Sequence, residues 1–254
     1  MVSKWRNVIK YKPSLSLTLK MGCIPGWSII ASEENCPCAT DICSLYCYAK
    51  KRHFLHNKVI NKLINNSLFS RTVDFVPWMC FKLGSLDIPV FRIHVSGDFY
   101  SVEYIEKWRK IVTERSEIAF FTYTRSWTDS EMLKALLKLA KLHNMYMWFS
   151  ADRDNWTSAR QYKNVHWAFM VVDDHDYKLF ENSEFKPDIL FRVSHKQPLK
   201  EMHGIVVCPY ENGVKTKERI KCDMCGLCWN KFQPQARDLK LRNFNRVIKI
   251  GAEK

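Results

Sequence analysis

From about residue 90 onward, the chain alternates between short apolar runs that end in small or polar residues and longer stretches that mix apolar with polar positions. The runs are FRIHVSGD (91–98), IAFFTYTRS (118–126), MYMWFSADRD (145–154), HWAFMVVDD (166–174), ILFRVSH (189–195) and GIVVCP (204–209). Their length and their β-branched and aromatic content predict six strands. Between them, VEYIEKWRKIVTE and DSEMLKALLKLAKLH place apolar residues three and four apart, as a helix with one buried face requires. Asp129 or Ser130 supplies the N-cap of the second. Upstream, the basic stretch AKKRHFLHNKVINKLINNSLFSRTVDFVPWMCFKL also reads as helical, with Pro77 expected to interrupt it.

Strands alternating with helices imply right-handed crossovers and a parallel sheet. The expected fold is α/β, a TIM-barrel-like or partial (β/α) barrel. The expected organisation is an N-terminal segment (1–35), a barrel-like domain (36–205), a cysteine-rich appendage (206–232) and a basic tail (233–254). In such folds the site lies at the carboxyl ends of the strands. That gathers Ser96, Gly97 and Asp98, then Thr124 and Arg125, then Ser150, Asp152 and Arg153 around one mouth, with His195 and Cys208 ending later strands. Loop solvation or capping accounts for any one of these residues, and their recurrence at strand ends is what points to a site. His94, inside an apolar strand, reads as a core residue, and His53 and His56 as supporting or surface groups.

Composition narrows the class. With 254 residues, 46% hydrophobic and 13% aromatic, the chain can bury a sizeable core. Its N-terminus, MVSKWRNVIKYKPSL, lacks the apolar region of a secretion signal, so the ten cysteines are expected in the cytoplasm as thiols rather than disulfides. The longest apolar stretches, such as WAFMVV, have strand length, and no membrane span is expected. A net charge of +14 makes nucleic acid a candidate partner, although the basic residues run along the whole chain.

Seven cysteines carry the clearest chemistry. Cys208 is followed after thirteen residues by Cys222-x2-Cys225-x2-Cys228, and four thiolates complete a coordination shell. A third cysteine only two residues after a CxxC pair resembles the ferredoxin run, whereas a zinc ribbon separates two such pairs widely. A 4Fe-4S cluster is expected there, with zinc as the alternative. Gly226 allows the backbone to approach the cluster closely. Upstream, Cys36-x6-Cys43-x3-Cys47 offers three thiolates, with Cys38 as a possible fourth. Three thiolates suit a second 4Fe-4S cluster with one open iron, which can take a small ligand such as S-adenosylmethionine. That is the radical-SAM arrangement, although the spacing departs from its usual Cx3Cx2C. HVSGDFY resembles the acidic glycine turn that holds the methionine amino group in those barrels. The residues expected to hold such a cofactor are Ser96, Gly97, Asp98, Arg125, Ser150 and Asp152. Cys23 and Cys80 lack partners at metal spacing and read as small buried hydrophobes.

Together CPCATDICSLYCYAKK, RIHVSGDFYSVEYIEKW, FFTYTRSW and CDMCGLCW resemble the phage-encoded gene product 88 domain family, in order and over most of the chain. The resemblance implies ligand roles for Cys36, Cys43, Cys47, Cys208, Cys222, Cys225 and Cys228, and a mobile-element protein in a microbial cytoplasm. It places Cys38 where the family carries glycine, and it brings no established reaction. Two expectations follow. In one, the protein is a radical-SAM-like enzyme fed by a reductant such as ferredoxin or flavodoxin. In the other, it is a non-catalytic iron-sulfur or zinc protein that binds nucleic acid or senses redox state.

Overall fold

The computed structural model describes residues 6–173, 175–181, 186–193, 205–212 and 220–229. Among these residues, seven parallel strands form one sheet whose spatial order is their chain order. They are β1 (Gly26–Trp27), β2 (Val90–Ile93), β3 (Ala119–Thr124), β4 (Met145–Ala151), β5 (Val165–Val171), β6 (Ile189–Arg192) and β7 (Val206–Val207). The helices are α1 (Arg6–Tyr11), α2 (Asp41–Leu45), α3 (Asn57–Ser70), α4 (Phe75–Gly84), α5 (Val102–Glu114), α6 (Ser130–Ala140), α7 (His175–Glu181), α8 (Pro209–Asn212) and α9 (Cys222–Cys225). This is a partial β/α architecture.

Because the strand order never reverses, each right-handed crossover steps one strand in the same direction and lays its helix on the same face of the sheet. Side chains alternate accordingly. Phe91, Phe120, Phe149 and Trp167 point into a core shared with Phe75, Trp108 and Leu136 of the helices. Trp108 is fully buried there, its ring 5.5 Å from Phe75 and 6.2 Å from Phe91. The opposite face carries Ala119, Phe121, Tyr146, Trp148 and Ala168. It is covered by the two ends of the chain: Met21, Ile24 and Trp229 pack on one part and Cys208 on another. The cysteine-rich segment expected as an appendage therefore covers part of the sheet's second face. A parallel sheet is stable with both faces buried, and the helices supply only one cover.

Six of the seven strands lie within or overlap the runs read from the sequence. β1 was not foreseen, because two residues carry no periodicity. It pairs Gly26 with Arg92 and Trp27 with Ile93, so residues before 36 belong to the same sheet as those after. Asn66 of α3, fully buried, fastens this region: its Nδ2 donates to the carbonyls of Ser14 and Ser28 at 2.9 Å each. α5 covers the expected helix from end to end, with Ser101 Oγ accepting from the Tyr104 N–H. For α6, Asp129 is the cap, accepting from the N–H groups of Glu131 and Met132. Pro77 does not break the upstream helix. The break falls between Ser70 and Phe75, and Pro77 sits in the first turn of α4, where its missing N–H has no partner to lose.

β2 stops at Ile93 because the chain turns sharply after it, His94 at φ 61° and Gly97 at φ 76°. A side chain at Gly97 would start 2.2 Å from Ile29 Cγ1, on top of the strain of a left-handed backbone. Gly97→Ala is expected to cost about 2 kcal/mol or more, read as a lower urea midpoint. An unchanged midpoint would show that this turn can relax.

His94 is buried, sharing a 3.0 Å hydrogen bond between Nε2 and the Tyr104 hydroxyl, with the Phe99 ring at 4.7 Å. Burial, helped by the charge of Arg92, pulls its pKa down to about 3. The unfolded chain takes up this proton near pH 6.5, and the folded chain holds it off until about pH 3. Stability is therefore expected to fall as pH drops through that window and to be independent of this group above it. His94→Asn, whose side chain tolerates the positive φ, should flatten the acid limb of a stability-against-pH curve.

Candidate metal centres

The first cysteine group is spread over the loop after β1 (Cys36), α2 (Cys43) and the residues just after it (Cys47), and hydrogen bonds pin this stretch to the carboxyl ends of β2 and β4. Asp98 N–H donates to the Asn35 carbonyl at 3.0 Å, next to Cys36. Thr40 caps α2 by accepting from Cys43 N–H at 3.0 Å, and its hydroxyl donates to Asp152 Oδ2 at 2.5 Å. Tyr48, directly after Cys47, sends its hydroxyl to the Val95 carbonyl. Asp152 is fully buried, with Arg125 Nη1 at 2.7 Å from Oδ2 and Asp154 N–H at 3.0 Å from Oδ1. Asp98 is buried too, accepting from Phe99 N–H at 2.7 Å and from Arg125 N–H at 2.8 Å. Burial lifts its pKa to about 6 against the pull of these hydrogen bonds.

Burial also raises the thiol pKa values of Cys36 and Cys43. The charges of Asp98, Cys43 and Cys47 push Cys36 further up, whereas Arg125 pulls Cys43 down. Bare thiolates are disfavoured in such a place, so without a bound cation these groups stay as neutral thiols.

The second group is more enclosed. Cys208, Cys222, Cys225 and Cys228 line a single cavity with Ile189, Tyr210, Gly226 and Trp229. Gly226 takes φ 69° and ends α9, its N–H returning to the Cys222 carbonyl at 3.0 Å. The unit is held against the sheet at several points. Cys222 N–H donates to the Lys20 carbonyl at 2.9 Å and Cys208 N–H to the Leu190 carbonyl at 2.9 Å. Trp148 Nε1 donates to the Cys228 carbonyl at 2.9 Å, and the Tyr123 hydroxyl to Cys228 Sγ at 2.7 Å. Burial pushes Cys208 up to about 11 and Cys228 up to about 12. Among the described residues, no three cysteine sulfurs lie within 4.8 Å of one another. Trp229, 4% exposed and lining the cavity, has an indole N–H with no hydrogen-bond partner.

Comparison with known proteins decides the lineage. The model of the family described as Gene product 88 matches residues 6–231. This chain belongs to the gene product 88 family. It is 30% identical to the Gene 88 protein of Mycobacterium phage L5 over 212 residues, 77% of this chain and 78% of that protein. It is 32% identical to the Gene 88 protein of Mycobacterium phage D29 over 139 residues, 50% of this chain and 55% of that protein. No solved structure matches.

In this gene product 88 chain, the strand-end residues divide into two sets. Asp98, Arg125 and Asp152 lie close enough to the first cysteine group to act on its charge. Ser96 instead donates its hydroxyl to the Ile29 carbonyl at 2.7 Å, and Gly97 makes the turn. Thr124 Oγ1 accepts from Ser126 N–H. Ser150 gives its carbonyl to Trp127 Nε1. Arg153 turns away to Asp173 and Asp176, at 2.7 Å from each. Cys80 is buried as expected; Cys23 is only half-buried, its N–H on Asp223. His195, the basic tail 233–254 and the side chain of His53 lie outside the described residues.

Four residues at these sites escaped the sequence reading: Thr40, Lys20, Arg92 and Tyr123. Lys20 pairs with Glu211 beside Cys208. Arg92 lies 5.5 Å over the Tyr123 ring. A charged residue in the middle of an apolar strand was the one available signal for Arg92. Among the described residues, no helix is long and apolar enough to cross a membrane.

Proposed function

We propose that this gene product 88 protein carries two 4Fe-4S clusters. Cys208, Cys222, Cys225 and Cys228 would hold a fully ligated one, and Cys36, Cys43 and Cys47 one with an open iron that binds S-adenosylmethionine. The observation that carries the cluster reading is the spacing of the sulfurs around one cavity. A tetrahedral zinc with Zn–S near 2.3 Å draws its four sulfurs to about 3.8 Å from each other. The cysteines here line a common cavity without any three sulfurs falling within 4.8 Å. That suits a cluster, in which each thiolate binds a different iron. The unpartnered N–H of Trp229 also suits a site whose contents include hydrogen-bond acceptors.

At the first group, three thiolates beside Asp98 and Arg125 suit a ligand with an amino and a carboxylate end: the carboxylate would attract the ammonium and the guanidinium the carboxyl. Ser96 and Gly97 support this arrangement by shaping the turn rather than by offering groups to the ligand. When bound, the cluster and its cofactor supply one-electron chemistry. The chain's own part is to position the ligand's polar end and keep the thiolates together.

Anaerobic reconstitution followed by EPR of the reduced protein, with and without S-adenosylmethionine, tests both halves. The expected result is a spectrum in which one of two signals changes on adding the cofactor. Two signals that ignore it would overturn the ligation. A colourless protein containing only zinc would overturn the clusters.

A further inference from the structure

We propose that Tyr123, with Arg92 packed over its ring, sets the reduction potential of the four-cysteine centre through the hydrogen bond its hydroxyl donates to Cys228. The inference rests on the iron-sulfur reading of that site. Potentials of such clusters respond to hydrogen bonds on the ligand sulfurs and to nearby charge, because reduction adds negative charge that donors and cations stabilise.

Tyr123 supplies the first of these. It stands on the face of β3 opposite the helices, and its hydroxyl lies 2.7 Å from Cys228 Sγ. Trp148 approaches the same cysteine but donates to its carbonyl oxygen, so its hydrogen bond holds the backbone rather than the sulfur. The Tyr123 ring is itself fixed between Trp148 at 5.5 Å and Phe191 at 5.1 Å.

Arg92 supplies the second. Its guanidinium lies 5.5 Å from the Tyr123 ring centre and 5.8 Å from that of Phe121, with Nε donating to the His94 carbonyl at 3.1 Å. Among the described ion pairs, none gives Arg92 a carboxylate, whereas Lys20 on the same face is neutralised by Glu211. A cation packed on the donor of a sulfur-directed hydrogen bond, and given no carboxylate by the described residues, has the cluster as its natural counter-charge. A purely structural role would be served by any ring and any polar head.

Potentiometric EPR titration of the full-length reconstituted protein is the test, with the signal of this centre identified as the one lost in Cys225→Ser. In Tyr123→Phe, which keeps the ring and removes the donor, the midpoint should become more negative. At a fixed poise the ratio of reduced to oxidised centre should fall about ten-fold, equivalent to about 59 mV for one electron. Arg92→Gln should shift it in the same direction, and Arg92→Lys, which keeps the charge, should recover most of the loss. An iron-loaded Tyr123→Phe with the parent's midpoint overturns the inference and leaves the cluster standing. If Tyr123→Phe does not fold, the same midpoint in Arg92→Gln and Arg92→Lys overturns it equally. Zinc as the sole metal overturns the cluster and the inference together.

Discussion

On the two-cluster reading, Cys225→Ser is expected to release roughly half of the bound iron and to loosen the cover over part of the sheet's second face. Cys225 lines the same cavity as Cys208, Cys222 and Cys228, and the segment it belongs to reaches Lys20, Tyr123 and Trp148 by hydrogen bonds. Metal bound at such a site contributes its affinity to folding, because the unfolded chain holds no preformed cage. The variant should therefore also unfold at lower urea than the parent, and by more than either loses on removal of Cys23, which lies outside the cavity lining. Iron and sulfide analysis alongside urea titration reads both effects. Unchanged iron in Cys225→Ser would remove this residue from the ligand set.

Asp152→Ala should be the most damaging single change at the first site, about 3–5 kcal/mol, because it strands Arg125 as a buried cation without its carboxylate. Arg125 is 9% exposed at its side chain and Asp152 is fully buried, with 2.7 Å between them. The same carboxylate takes the hydroxyl of Thr40, the cap of the helix that carries Cys43. Loss of stability should thus be accompanied by loss of iron from the Cys36 group. Asp152→Asn, which keeps an oxygen for Thr40, should lose less of both. If Asp152→Ala unfolds at the parent's urea midpoint, the pair is solvated well enough to be dispensable.

The sequence made the helix-facing half of this molecule readable and hid the other half. In VEYIEKWRKIVTE the apolar spacing alone gives α5, since Tyr104, Ile105, Trp108, Ile111 and Val112 are the residues that the core buries. The cysteine spacing likewise gives two groups, because each depends on neighbours a few residues apart. What it could not give is which distant residues meet. Tyr123 and Cys228 are 105 positions apart, and nothing in FTYTRS marks its tyrosine as a donor to sulfur. The strand-end rule named Asp98, Arg125 and Asp152, which do lie together, and also Ser150 and Arg153. Their side chains and backbones answer to Trp127 and to Asp173 and Asp176 instead. β1 was invisible for a different reason: Gly26 and Trp27 are a strand only because Arg92 and Ile93 lie beside them.

The cover over the sheet's second face joins residue 20 to residue 222. During synthesis, then, the part of this face that the segment around Cys222 covers stays bare from the time Phe121, Tyr146 and Trp148 are released until that segment follows. Over that interval the nascent chain offers a sticky apolar surface to chaperones, proteases and other copies of itself. On the iron-sulfur reading proposed above, capture of metal by Cys222, Cys225 and Cys228 would act as a closing latch, so that a cell short of iron would be expected to accumulate the protein as insoluble or degraded chains rather than as a stable empty form.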